Sequence, residues 1–341
     1  MATLYANLPS VAFPHELDML FFSSKEDFRV RITLEDKELL DVTLTPDSDS
    51  VAALYEMASL INDAIEGSMP VLTIFLDGEN VAETSVLPCR EILNRTAQDI
   101  QKEIFLTLSS GHTKRVPMDG SETLAWIVEG TDPKVSIEAI WMGNDIPAIY
   151  TSSQTISGTD DGDIATADVS PRLLKAPQDN CSLVSYTARV GRRRQAYLIY
   201  RADTDLHPVT ALRFRNIFNR DDTFYFFGKV EQEVKPTYSS ISVQGSTRNY
   251  RIETQPTWKA YTGPMDDAER LLFSDLEQAL KVWRMDDGTP LTLTECDYKS
   301  SNLLTEAPSE SLTWREASEG ITFKPAIPVR TFDSTFDTTF D

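Results

Sequence analysis

FRVRITLEDKELLDVTL, residues 28–44, alternates apolar and polar side chains on both sides of a charged turn. Phe28, Val30, Ile32 and Leu34 share one face, Glu35 to Glu38 reverses the chain, and Leu40, Val42 and Leu44 resume the alternation. A period of two is that of a half-buried strand, so a β-hairpin is expected here. After Pro46 the period lengthens. Leu54, Met57, Ala58, Ile61, Ala64 and Ile65 recur at steps of three and four behind a candidate cap in Asp47 to Ser50, which predicts an amphipathic helix over 51–66. Gly67 and Pro70 end it, and Val71 to Leu76 reads as a buried strand closed by Asp77-Gly78. Helix and sheet are expected to pack together. Further strands are expected at 104–108, 123–128 and 135–141, the last with Val135, Ile137, Ala139 and Trp141 on one face.

Residues 151–175 begin with TSSQTISGTDDGDIATADVS, which has no large aromatic residue and reads as a linker or long surface loop. Its DDGD core lacks the alternating acids and the bidentate Glu of a calcium loop. Beyond it, 183–190 and 195–201 flank Gly191-Arg192-Arg193-Arg194, a hairpin with three arginines at its tip. Strand formers fill 223–230, 238–243 and 250–254, with Gln244-Gly245-Ser246 as a turn. Pro264 and Asp266-Asp267 then open a helix expected over about 266–284, whose stripe is Ala268, Leu271, Leu272, Leu276, Ala279, Leu280 and Trp283. Strands are expected again at 291–294 and 311–315. The chain ends in TFDSTFDTTFD, where Phe332, Phe336 and Phe340 recur every four residues with Asp333, Asp337 and Asp341 behind them. Three exposed rings need a cover, so this arm is expected to dock on a partner or on the protein's own body.

The whole is therefore a mainly β (α+β) chain of β-sandwich or split-barrel domains, each flanked by an amphipathic helix. Its 341 residues suit about two domains at roughly 150 residues each. The expected division is an N-terminal β-rich domain over 1–150, the linker 151–175, a C-terminal β-rich domain over 176–328, and the arm 329–341.

Composition narrows the function. Fifty-three acidic against 32 basic residues give a net charge of −21, which disfavours free binding to nucleic acid or anionic membrane. Cys89, Cys181 and Cys296 form no CxxC pair, and no apolar run approaches the ~20 residues of a membrane helix. The N-terminus has no signal-peptide pattern, so synthesis in a host cytoplasm is expected. His15, His112 and His207 sit in no metal-ligand spacing, and GxSxG, GxxxxGK[ST] and GxGxxG are absent. Acid pairs such as Asp221-Asp222 and Asp266-Asp267 are ordinary in so acidic a chain. No enzymatic step, metal or cofactor is expected. One segment runs against the overall charge. Between Arg189 and Arg220, eight arginines oppose Asp203 and Asp205, a local excess of +6 that leaves −27 on the remainder. Such sign segregation suits head-to-tail assembly, a basic patch on one subunit meeting an acidic face on the next.

LRFRNIF at 212–218, DTFYFFG at 222–228, STRNYRIET at 246–254 and the terminal TFDSTFDTTFD together resemble uncharacterised proteins of the tail or baseplate gene region of Bacteroidetes phages and prophages. The resemblance covers about residues 180–341. More remotely, the order strand, strand, helix, strand, strand around 266–284 is similar to ring-forming distal-tail and tail-tube proteins. The resemblance implies a virion structural component whose partners are its own copies and other tail proteins. Arg192, Arg193, Arg194, Arg213 and Arg215 are then candidate subunit contacts, and Phe332, Phe336 and Phe340 a docking arm that adds a strand to a neighbouring sheet edge. The alternative is a host-surface or glycan-binding tail module in which Trp126, Trp141, Trp258 or Trp283 stacks on sugars, and a depolymerase is the third reading.

Overall fold

The computed structural model describes residues 2–65, 69–91, 93–128, 134–144, 148–161, 163–200, 209–243, 246–299, 309–317 and 322–323. The protein is mainly β, with several sheets and few helices. Phe28–Leu34 and Lys37–Leu44 form the expected hairpin, with Phe28, Val30, Ile32 and Leu34 all buried and a bulge between Ile32 and Thr33. Glu35 turns the chain at φ 50°, a left-handed conformation that only a short connection requires of it. These strands sit in a five-stranded sheet whose order is Val11–Ala12, Glu79–Val86, Val71–Leu76, Phe28–Leu34, Lys37–Leu44.

The helix expected over 51–66 is half strand. Val51–Leu54 pairs with Leu20–Ser23, and helix α1 occupies only Met57–Ala64. Glu56 at φ 62° separates the two, because a left-handed residue cannot continue either. The helical period was real over Met57, Ile61 and Ala64, which are the buried face of α1. A sheet edge claimed the residues before it. Ile104–Leu108 likewise forms no strand. It follows helix α2, Ala97–Glu103, and its backbone is bonded piecemeal: Phe105 N–H donates to Ser110 Oγ at 2.9 Å and Leu106 N–H to the Ala125 carbonyl at 2.8 Å.

The supposed linker is part of the second sheet system. Ile149–Ser157 pairs along its length with Lys134–Gly143, and Ile164–Asp168 pairs with Thr123–Ile127. Serine and threonine alternation here is the exposed edge of a sheet, which composition alone resembles a loop. The five-stranded sheet runs Ile149–Ser157, Lys134–Gly143, Cys181–Val190, Arg193–Tyr200, Thr113–Pro117, the last pair parallel. On Lys134–Gly143, Val135, Ile137, Ala139 and Trp141 are buried beneath Trp126, Ala165 and Ala167 of the facing three-stranded sheet, a sandwich as expected. The same core takes in Tyr225 from the C-terminal half. A neighbouring core joins Phe13, Leu87 and Ile127 to Ile217 and Phe218. Hydrophobic packing thus runs across both expected boundaries, at 150 and at 175.

The third sheet runs Asp221–Phe226, Thr210–Arg215, Val282–Arg284, Pro290–Lys299, Ser309–Glu316, Ser246–Tyr261, Val230–Val243. Helix α3, Asp267–Glu277, opens with Asp266 accepting from Glu269 N–H at 2.9 Å and lays Leu272, Phe273 and Leu276 on Phe214, Phe224 and Phe226. It ends seven residues before the expected 284. Leu280 lies beyond it at 84% exposure, and Trp283 belongs to the strand Val282–Arg284. An ion pair between Arg115 and Glu269 ties α3 to the parallel edge of the second sheet, and Arg115 also donates to the Pro264 carbonyl at 2.5 Å.

Candidate assembly surfaces and a buried charge cluster

The arginines of the basic segment separate into three settings. Cys181–Val190 and Arg193–Tyr200 make the expected hairpin, with Gly191 at φ 58° in its turn. Arg192 and Arg194 are exposed there. Arg193 is buried and donates to the carbonyls of Gln101 and, at 3.0 Å, Ile127, so it holds the hairpin onto α2 and does not face outward. Strand alternation explains this: of three consecutive arginines, the middle one must point to the opposite face.

Arg213 and Arg215 project from Thr210–Arg215 into a cleft of about 270 Å³, where Arg220, Asp221, Thr123, Thr166 and Met285 join them. Arg215 Nε pairs with Asp221 at 3.1 Å, and the Arg213 guanidinium lies 5.5 Å from the Trp283 ring centre. Arg213, Arg215 and Arg220 thus line one cleft beside the Asp221 carboxylate. Arg192 and Arg194 are not among its lining residues. Phe332, Phe336 and Phe340 lie outside the described residues, as do Arg201, Asp203, Asp205 and His207.

The third sheet ends in a hairpin much longer than its neighbours, Val230–Val243 paired with Ser246–Tyr261. Fourteen and sixteen residues at about 3.3 Å each reach roughly 45–55 Å. Gly228 permits its base: a β-carbon there would meet the Tyr261 carbonyl oxygen at 2.4 Å, where Gly228 N–H now donates at 3.0 Å. Val230, Val234 and Tyr238 share one face of the outer strand and are 38%, 51% and 56% exposed. Opposite them lie Ala260, Pro256 and Ile252, of which Ala260 is in the core. The apolar face therefore starts inside the molecule and continues into solvent along an edge strand with a pairing partner on one side.

The tryptophans do not form a sugar platform. Trp126 and Trp141 are core residues. Trp258 and Trp283 are half-buried beneath the guanidiniums of Arg284 and Arg213, at 5.1 and 5.5 Å.

Sequence reasoning missed a cluster in the interior. Lys114, from Thr113–Pro117, is buried with its Nζ donating to Glu122 Oε2 at 2.9 Å and to Asp222 Oδ1 at 3.2 Å. Asp222 also accepts from Thr107 Oγ1 at 2.5 Å and from Thr223 N–H at 2.8 Å. Tyr225 borders the site, its hydroxyl donating to the Ser121 carbonyl at 2.9 Å and its ring centre 5.8 Å from Nζ. Tyr186 and Tyr197 stack at 4.5 Å nearby, and burial raises the pKa of both well above the ordinary phenol value. Burial also pushes the Glu122 carboxyl up to about 7 against the pull of Lys114. A second buried acid, Asp275 on α3, is pushed up to about 7 by burial and lies 3.7 Å from Arg90. Spacing could not reveal the cluster, because Lys114, Glu122 and Asp222 are brought together by three different elements.

Among the described residues there is no group of three or more His, Cys, Asp or Glu placed to hold a metal ion, and no helix long and apolar enough to cross a membrane. No family model and no curated protein matches the chain. Two solved structures that are similar to part of the chain come from gene transfer agent particles. One is a chain from the tail of an empty particle with C6 symmetry, 14% identical, covering 33% of this chain and 92% of that one at a TM-score of 0.23. Another is from the virion of a native gene transfer agent particle, 15% identical, covering 33% and 94% at a TM-score of 0.23. These likenesses concern a third of the chain.

Proposed function

We propose that the protein is a structural component of a phage-type tail or baseplate, resident in the virion, which works by multimer assembly with its own copies and with other tail proteins. The observation that carries this reading is the long edge hairpin, whose apolar residues Val230, Val234 and Tyr238 continue outward from the core and are exposed. An exposed edge of this length is an aggregation hazard in a free monomer and a pairing surface in an assembly. The arginine cleft at Arg213, Arg215 and Arg220 supplies the second contact, taking acidic side chains from a neighbour whose surface carries the excess negative charge. The Phe/Asp arm is the third, and it brings both an apolar ring and a carboxylate at each repeat.

The test is the mass of the purified chain in solution, with and without high salt. A multimer that loosens in salt and fails to form in a Val234→Ser/Tyr238→Ser variant supports the reading. A salt-indifferent monomer that also gains no mass when mixed with phage tail proteins overturns it.

A further inference from the structure

Lys114, Glu122 and Asp222 form a buried cluster away from the solvent-facing surfaces, and a plain structural role accounts for it poorly. Burying one ammonium against two carboxylates is expensive, and an apolar replacement of the same volume is commonly as stable or more so. The three groups are also arranged for a reaction. Lys114 Nζ stands 3.2 Å from Asp222 Oδ1, close enough for the amine to reach the carboxyl carbon. Asp222 is held by donors on both oxygens, Thr107 Oγ1 on one and Thr223 N–H on the other, which would stabilise charge on a tetrahedral carbon. Glu122 Oε2 touches the same nitrogen at 2.9 Å and lies in an apolar and phenolic shell of Tyr225, Tyr186 and Tyr197. Water is excluded, since Lys114, Glu122 and Asp222 are 4%, 2% and 7% exposed.

We propose that Lys114 and Asp222 condense, without any other protein, to an intramolecular amide that joins the strand Thr113–Pro117 to the strand Asp221–Phe226, with Glu122 as the proton carrier. The ammonium first passes a proton to the Asp222 carboxylate, giving an amine and a carboxylic acid; burial lowers the Lys114 pKa but its two carboxylate partners raise it by more, so this transfer is the uphill step of the sequence. The amine lone pair attacks Cγ and the Nζ–Cγ bond forms. Glu122 takes a proton from the nitrogen and gives it to the departing hydroxyl as the Cγ–O bond breaks. One water leaves, and Glu122 ends in the state in which it began. Its raised affinity for a proton suits that exchange at neutral pH. No oxidant, reductant or cofactor is required. The product links two sheets that also share the Arg115–Glu269 pair, so the covalent bond would close the junction between the second sheet and the third.

Intact-mass spectrometry of the full denatured chain, after the folded protein has stood at neutral pH, tests the proposal, followed by peptide sequencing. The expected result is a mass lower than the sequence mass by one water, carried by a branched peptide joining Lys114 to Asp222. A chain at the full sequence mass overturns the proposal and leaves a buried ion pair. Loss of water within one unbranched peptide overturns it too, since that is aspartimide, and a branch at Glu122 overturns the assignment of Asp222. Asp222→Asn sharpens the test because its condensation expels ammonia in place of water. Its product must therefore have the same mass as the wild-type product. Glu122→Gln, folded by circular dichroism, should stay at its uncondensed mass for at least tenfold longer. Condensation of that variant at the wild-type rate would remove Glu122 from the step.

Discussion

Two hairpins with similar sequence texture meet opposite fates. In Lys134–Gly143 paired with Ile149–Ser157, the apolar residues at every second position disappear under a facing sheet: Val135, Ile137, Ala139 and Trp141 are all less than 5% exposed. In Val230–Val243 paired with Ser246–Tyr261, Val230, Val234 and Tyr238 also share a face, yet they remain in solvent. Alternation selects which side of a strand is apolar. Whether that side finds a cover depends on what the rest of the chain brings to it. Trp126, Ala165 and Ala167 come to the first hairpin. The second lies at the end of its sheet, where Val230, Val234 and Tyr238 stay exposed among the described residues.

The sharpest way to break this contrast is to empty the covered side. Trp141→Ala removes a ring from the core and its Nε1–H bond to Ser152 Oγ at 2.8 Å, and should cost about 3–5 kcal/mol in denaturant unfolding. The same loss of bulk on the uncovered side should behave otherwise. Val234→Ser/Tyr238→Ser should leave the unfolding free energy of the monomeric unit within about 1 kcal/mol while abolishing the multimer seen by light scattering. Equal destabilisation by both changes would mean the long hairpin is covered by its own chain.

Charge offers a smaller probe of the same difference between inside and outside. Burial raises the Asp275 carboxyl from its ordinary 3.8 to about 7, so the folded protein holds a proton that the unfolded chain releases in that window. The contribution to stability is fully present below about pH 4 and is lost as pH rises through 7, at about 1 kcal/mol per unit. Asp275→Asn should flatten that part of the pH profile in thermal unfolding and leave the multimer's mass unchanged. The exposed side should show the least. Arg215→Ala breaks a half-exposed pair with Asp221 and should cost less than about 1 kcal/mol in stability, while reducing the salt sensitivity of assembly.

Much of the β architecture was legible because exposed faces are polar and buried ones are not. The hairpin at 28–44, the strand with Trp141, the arginine hairpin and the capping acid of α3 all follow from local pattern and turn chemistry. The errors share a cause in tertiary pairing. Val51–Leu54 fits a helical stripe but was taken by the edge at Leu20–Ser23, and Ile149–Ser157 looks like a linker because its serines and threonines occupy a solvent-facing edge. The helix after Asp266 stopped early because Val282–Arg284 had a strand to join. For the candidate surfaces, Arg213 and Arg215 converge on one cleft, whereas Arg193 turns inward and Arg192 and Arg194 stand apart. Lys114, Glu122 and Asp222 meet only in space, so no spacing could have shown them.

The most direct test of the account is light scattering on the wild-type chain and on Val234→Ser/Tyr238→Ser, side by side and across protein concentration. A wild-type multimer and a folded, monomeric variant are expected if the hairpin's apolar face is completed by another subunit. Two monomers at every concentration, with no gain in mass when phage tail proteins are added, would contradict it.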